Sequence, residues 1–224
     1  LFLWVILSAF IFIVGCSSVP MASKNWPQKV LKTLSLREKI AQMMIYRMHL
    51  KYKDVTPEKW EEIIRLLDGD GIGGIHLWSG DGSSSIAIMN EIQKRSRIPI
   101  IFDADIERGF GQRFPSGTDF PPMMAITATG NPENAYEVGK IVATESRAAG
   151  IHWNLSPVVD VNNNPLNPII NTRSFSENAD IVSEFSKKYA KGLQDYGMIA
   201  TAKHFPGHGD TQTDSHSSLA MIPS

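Results

Sequence analysis

Cysteine is almost absent. Cys16 is the single thiol in 224 residues, so no internal disulfide is available. Charge of either sign is close to balance: 22 Lys and Arg against 23 Asp and Glu leave a formal net charge of −1. No run of Lys or Arg forms a basic patch, which argues against a nucleic-acid surface. No Gly-rich phosphate fingerprint follows the first predicted strands; the glycines of 71–74 precede their strand, which weakens a dinucleotide-binding reading. One apolar run stands out, at 1–15, and it is too short for a comfortable membrane span. What is present is an ordinary globular composition, 42% hydrophobic and 20% charged, and enough chain for one large domain or two small ones.

The apolar run is uncharged and has the length of a signal-peptide core. Cys16-Ser17-Ser18 follows it directly. Gly15 before Cys16 resembles the lipobox of bacterial lipoproteins, in which the cysteine is lipidated and becomes the mature N-terminus. The organisation this implies is a signal segment over 1–16, a linker over 17–25 and a domain over 26–224. The protein would then be exported to the cell envelope and held on the membrane by a lipid on Cys16. The alternative is one N-terminal anchor helix with an incidental cysteine. The chain opens on Leu1 without a basic segment, so further residues are expected before it.

Beyond the linker, strands and helices alternate. Ser35 before Leu36, with Glu38 three residues on, marks a helix start. Thr56-Pro57-Glu58 marks another, with Trp60, Ile63, Ile64 and Leu67 at helical spacing. Helices are expected over 85–95, 132–149 (closed by Gly150) and 180–196 (closed by Gly197). Strands are expected near 43–46 and over 71–78, 98–102, 151–155 running on to 161, and 198–202. The 98–102 strand is apolar enough to be buried on both faces. Such alternation means right-handed βαβ units around a parallel sheet, either doubly wound or closed as a (β/α)8 TIM barrel. Polar residues at the C-terminal end of every strand favour the α/β barrel over a sheet with one switch point. A barrel takes roughly 250 residues and eight strands, and about five strands are countable, so the barrel is expected to be truncated after about five.

Three clusters carry polar side chains. Asp105 and Glu107, followed by Arg108, two glycines and Arg113, suit hydroxyl or phosphate recognition; a strand-end salt bridge fits them equally. Arg173 lies in a long aperiodic loop with Asn162, Asn163, Asn164 and Asn171. It either donates to a ligand oxygen or staples its loop through backbone carbonyls. The densest cluster is 203–216, KHFPGHGDTQTDSH, at the end of the last strand. His204, His208, Asp210, Asp214 and His216 are all possible metal ligands, but Pro206, Gly207 and Gly209 break the spacing that zinc sites show. Asp214 and His216 are two apart, which in an extended loop turns both side chains to one side. A carboxylate beside an imidazole fixes its tautomer and makes it a usable proton donor near neutral pH. Lys203 and His204 close the strand, where they can hydrogen-bond a substrate at the barrel mouth. A solvated loop of turn residues is the remaining reading.

The 203–216 motif, followed by Leu219 and Pro223, resembles the signature of family 3 glycoside hydrolases of the β-N-acetylglucosaminidase branch. LSLREKIAQM is similar to that family's opening helix, GIGGIHLW to its second strand and DIERGFGQRF to its sugar-binding turn. GIHWNLSPVVDV and NTRSF follow in the family's order. The resemblance implies a TIM barrel and retaining hydrolysis of terminal β-linked N-acetylhexosamine from glycans or peptidoglycan fragments, without metal or other cofactor. Asp105, Arg113, Arg173, Lys203 and His204 match sugar-binding positions. His216 matches the proton donor and Asp214 its orienting partner. The family's nucleophile is an aspartate on a later strand, and no residue here matches it, so the 224 residues alone are expected to be inactive. Arg108 departs from the family's usual glycine and is expected to crowd the sugar or reshape the turn. Two other functions fit: a β-glucosidase-like exo-hydrolase of the same family, and a sugar-binding lipoprotein without turnover.

Overall fold

The computed structural model describes residues 25–222. Cys16, the apolar leader and nearly all of the predicted linker lie outside the described residues. Among those described, no helix is long and apolar enough to cross a membrane. Backbone contacts divide the chain into two units, Leu1–Ser35 and Leu36–Ser224. The first contains α1 (Trp26–Thr33), which begins directly after the expected linker and has Pro27 in its first turn.

The second unit runs α2 (Leu36–Ala41), β1 (Ile45–Leu50), α3 (Pro57–Asp68), β2 (Gly74–Gly80), α4 (Ser83–Arg95), β3 (Ile101–Ala104), α5 (Met123–Thr127), α6 (Pro132–Ala148), β4 (Trp153–Asn154), α7 (Ala179–Asp195) and β5 (Ile199–Ala200). The helix starts follow local chemistry. The Thr56 hydroxyl accepts from the Lys59 amide, Asn131 caps α6 through the Glu133 amide, and Asn178 caps α7 through the amides of Asp180 and Ile181. Gly150 and Gly197 follow α6 and α7 with φ of 91° and 77°, the left-handed exit that glycine supplies.

All four strand pairings are parallel, in the order β1-β2-β3-β4-β5. That order decides between the two architectures. A doubly wound sheet reverses at a switch point. Strict sequential order with right-handed crossovers keeps every helix on one face, and such a sheet curls toward a barrel. The fold is therefore α/β with five parallel strands, consistent with part of a (β/α)8 barrel. Ile63, Ile75, Leu77, Ile92, Phe102, Val142, Tyr189 and Leu193 are buried together between helices and sheet, each contributing about 1.5–3 kcal/mol of burial. Helices α6 and α7 meet backbone to backbone. A Cβ on Gly139 would sit 2.3 Å from the Tyr189 carbonyl oxygen, and one on Gly192 2.2 Å from that of Tyr136.

The strand limits differ from expectation: β1 runs on to Leu50, β2 begins at Gly74 and β5 spans only Ile199–Ala200, and the two middle strands differ most. β3 begins at Ile101 rather than at 98, and it carries Asp103 inside the sheet. Ile101 is 41% exposed, so this strand is not buried on both faces. β4 is only two residues long, and Pro157, three residues past its end, has no N–H to give to a ladder. Pairing goes on beyond it as separate bonds, from the Thr201 amide to the Ser156 carbonyl, Lys203 to Pro157 and Val159 to Lys203.

Candidate active site

Asp105 follows β3 and Lys203 follows β5, so both lie at the C-terminal rim of the sheet. The Lys203 ammonium is 2.5 Å from Asp105 Oδ1 and 2.8 Å from Glu107 Oε1. Arg173, brought in by the loop after β4, holds Glu107 with two parallel bonds, Nε to Oε2 at 3.0 Å and Nη2 to Oε1 at 2.7 Å. Its Nη1 also donates to the Ile169 carbonyl, so it staples its own loop as well. Burial by itself would raise the Glu107 pKa. The Arg173 hydrogen bonds and the Lys203 charge overcome that and bring it down to about 2. The buried Tyr189 hydroxyl donates to the Glu107 and Ile106 carbonyls, and Gln112 Oε1 accepts from the Glu107 and Arg108 amides. The turn is thus fixed from below.

Arg113 Nε donates to the Asp105 backbone carbonyl at 2.9 Å, and its guanidinium lies 4.7 Å from the centre of the Trp78 ring. Arg47 lies 4.0 Å from the same ring. Beneath Asp105, His76 Nδ1 is 2.5 Å from Asp103 Oδ1, and His76 Nε2 is 3.8 Å from Asp105 Oδ2. The other Asp103 oxygen is buried without a hydrogen-bond partner among the described residues.

Asp160 organises the 203–216 segment. It is 3% exposed. Its Oδ2 is 2.6 Å from His204 Nδ1, and its Oδ1 accepts from the His208 amide at 2.6 Å. Burial works against ionisation of Asp160, but these His204 and His208 hydrogen bonds prevail and hold its pKa below the usual carboxylate range. The next residues are pinned rather than free. Asn167 Nδ2 donates to the His208 and Thr211 carbonyls at 2.6 and 3.0 Å, and Asn164 Nδ2 donates to the Asp210 carbonyl. His208 Nε2 is 2.9 Å from Ser215 Oγ. A Cβ on Gly209 would lie 1.7 Å from the Val161 carbonyl oxygen, so the segment rests directly on the chain after β4.

At the end of this pinned segment, His216 Nδ1 is 2.6 Å from Asp214 Oδ1, and the His216 amide donates to the same oxygen. The backbone bond, then the imidazole bond, lower the Asp214 pKa. The Nδ1 contact leaves Nε2 for proton exchange. The His216 side chain is 71% exposed.

Asp105, Arg113, Arg173, Lys203, His204 and His216 all line one cavity of about 750 Å³, together with Trp78, Glu107 and Arg108. Asp214 stands behind His216. Among the described residues no group of three His, Cys, Asp or Glu is placed to hold a metal ion. Arg108, on the cavity wall, also reaches Asp119, 3.4 Å distant. Sequence reasoning left Glu107 in a generic salt bridge and did not assign Asp160, Trp78 or Asn167. Asp160 had a legible signal, since an aspartate ending an apolar stretch is the pattern that marks Asp105.

Residues 35–224 match the family described as Glycosyl hydrolase family 3 N terminal domain. A β-N-acetylglucosaminidase/β-glucosidase of Cellulomonas fimi is 30% identical over 191 residues, 85% of this chain and 33% of its own. β-Hexosaminidase A of Pseudoalteromonas piscicida is 34% identical over 174 residues, 72% of this chain and 29% of its own. The solved structure of a family 3 β-N-acetylglucosaminidase from Paenibacillus sp. str. FPU-7 superposes with a TM-score of 0.76 at 34% identity, covering 85% of this chain and 37% of that one. The chain spans about a third of the length of each of these proteins.

Proposed function

The chain belongs to glycosyl hydrolase family 3, and on that premise we propose that the protein is a retaining exo-β-N-acetylhexosaminidase whose acid/base is His216 oriented by Asp214. The observation that carries this reading is the His216–Asp214 contact at the edge of a cavity with an ion-paired floor. A terminal sugar seated there meets donors from Lys203, Arg173, Arg113 and His204, and acceptor oxygens from Asp105. His216 donates its Nε2 proton to the glycosidic oxygen as the bond to the anomeric carbon breaks, and the leaving group departs neutral. In the second half-reaction the same nitrogen takes a proton from the attacking water. Retention requires a carboxylate nucleophile on the opposite face of the sugar. Glu107 is held by Arg173 and Lys203, Asp105 by Lys203, and Asp160 by two histidines. The family resemblance implies an aspartate nucleophile on a later strand than those described, and we expect residues 1–224 alone to be inactive.

Assay of the full-length protein on chromogenic N-acetylglucosaminide and glucoside separates the possible activities. Hydrolysis of the N-acetylglucosaminide alone agrees with the proposal. Hydrolysis of the glucoside alone moves the assignment to a β-glucosidase, and binding of both without turnover moves it to a sugar-binding protein. We also propose export and lipid attachment at Cys16, on the strength of the apolar run before it. Labelled palmitate should enter the wild-type protein and not Cys16→Ser; equal labelling would refute the attachment site.

A further inference from the structure

His216 sits on a turn that is held together mostly by itself. Asp214 Oδ1 accepts from the His216 amide and lies 2.6 Å from the ring Nδ1. The Asp214 carbonyl accepts from the amides of Ser217 and Ser218 and from the Ser217 hydroxyl. Among the described residues, one hydrogen bond joins residues 214–218 to the rest of the chain: His208 Nε2 and Ser215 Oγ, 2.9 Å apart.

His208 itself is buried and fixed. Its amide donates to Asp160 Oδ1, and its carbonyl accepts from Asn167 Nδ2. Its ring Nδ1 is 2.5 Å from Thr211 Oγ1. The single hydrogen of that hydroxyl goes to the His208 carbonyl at 2.9 Å. Thr211 Oγ1 can therefore only accept from the ring, and Nδ1 carries the hydrogen. In the neutral imidazole Nε2 is then a bare acceptor, and the Ser215 hydroxyl donates to it. The mooring runs from buried Asp160 to His208, and from His208 to the residue between Asp214 and His216.

The His216 side chain is exposed, so packing does little to fix its Nε2. A proton donor must lie within about 2.6–3.2 Å of the atom it protonates. We infer that His208 is the positioning residue of His216, acting through the Ser215 hydroxyl, and supplies the constraint that packing does not. The inference rests on the reading of His216 as acid/base given above.

Kinetics of the full-length protein on two substrates test it: chitobiose, whose leaving alcohol needs a proton, and a dinitrophenyl N-acetylglucosaminide, whose leaving group does not. Ser215→Ala should lower kcat/KM for chitobiose about tenfold, with KM little changed and the dinitrophenyl value nearly intact. Its Tm should stay at the wild-type value, because Ser215 is exposed. His208→Asn keeps a donor near Nδ1 and removes the acceptor, so it should give the same loss. His208→Gln brings an amide oxygen near the place of Nε2 and should restore most of the activity. The Ser215→Ala/His208→Asn double variant should fall no further than either single variant, because both remove one bond. Should His208→Asn fail to fold, Ser215→Ala decides alone. Full activity of Ser215→Ala on chitobiose, losses that multiply in the double variant, or equal losses on the two substrates overturn the inference. His216→Ala separates the two claims: if it too loses equally on both substrates, the assignment of the proton donor fails, and the inference with it.

Discussion

Replacing Glu107 by Gln removes one negative charge and keeps the shape of the side chain. In the native protein this carboxylate, 8% exposed, accepts two hydrogen bonds from Arg173 and lies 2.8 Å from Lys203. After the change, Arg173 and Lys203 keep their charges with one counter-ion fewer. Removing one partner of a buried ion pair costs about 3–5 kcal/mol. The titration gives a second measure. A folded-state pKa of about 2 against an ordinary 4.5 corresponds to a stabilisation on the order of 3 kcal/mol. Its sign is fixed: the depressed group contributes fully above its unfolded pKa, and the contribution is lost as pH falls from about 4.5 toward 2. For a chain of this size, about 3 kcal/mol lowers Tm by roughly 6–12 °C. Denaturant unfolding of wild type and Glu107→Gln across pH reads both quantities. The gap should be widest near neutrality and narrow as the solution is acidified below about pH 4.5. A variant within about 1 kcal/mol of wild type at neutral pH, or a gap that does not narrow in acid, refutes the assignment of Glu107 as the anchor of the pocket floor.

Two changes address the segment that carries His216. Asn167→Ala removes the amide that joins the His208 and Thr211 carbonyls; kcat should fall at least about tenfold, by misplacement of the proton donor, with KM changed much less. Gly209→Ala forces the segment off Val161, and kcat and Tm should fall together; a normal Tm with normal kcat would contradict the close approach. Arg108→Gly breaks only an exposed pair with Asp119, so Tm should move little, by the equivalent of at most about 1 kcal/mol. KM for the sugar should drop if the side chain narrows the cavity, and an unchanged KM removes Arg108 from specificity.

Much of this was legible in the sequence because it is local. Thr56-Pro57, Asn131 and Asn178 start helices through their own hydroxyls, rings or amides, and Gly150 and Gly197 end them, so helix positions follow from neighbours in the chain. The parallel sheet follows from the alternation of strand and helix. The limits of the short strands were not legible, because they depend on partners: β4 pairs in register with β5 over two residues and then only through separate bonds, and β3 admits Asp103 because His76 stands opposite it on β2. The site divides the same way. Asp214 and His216 are two residues apart, and their contact could be read from spacing. The Asp160–His204 contact spans 44 residues and the Glu107–Arg173 contact 66, and no local pattern pairs them. Asn167 reads as one more loop residue until the fold brings the 203–216 segment against it. That segment is therefore a supported strut with the His216–Asp214 pair at its exposed end, where composition alone left open a solvated loop of turn residues.

On the proposed mechanism, His216 delivers the proton to the leaving group. The dependence of the rate on the leaving group checks that role. In the full-length protein, His216→Ala should lower kcat/KM for chitobiose, whose leaving alcohol needs protonation, by about 10²- to 10⁴-fold. For a dinitrophenyl N-acetylglucosaminide, whose leaving group departs as a stable anion, the same substitution should cost far less in the bond-breaking step. Equal losses on the two substrates, or no loss on chitobiose, would contradict the assignment.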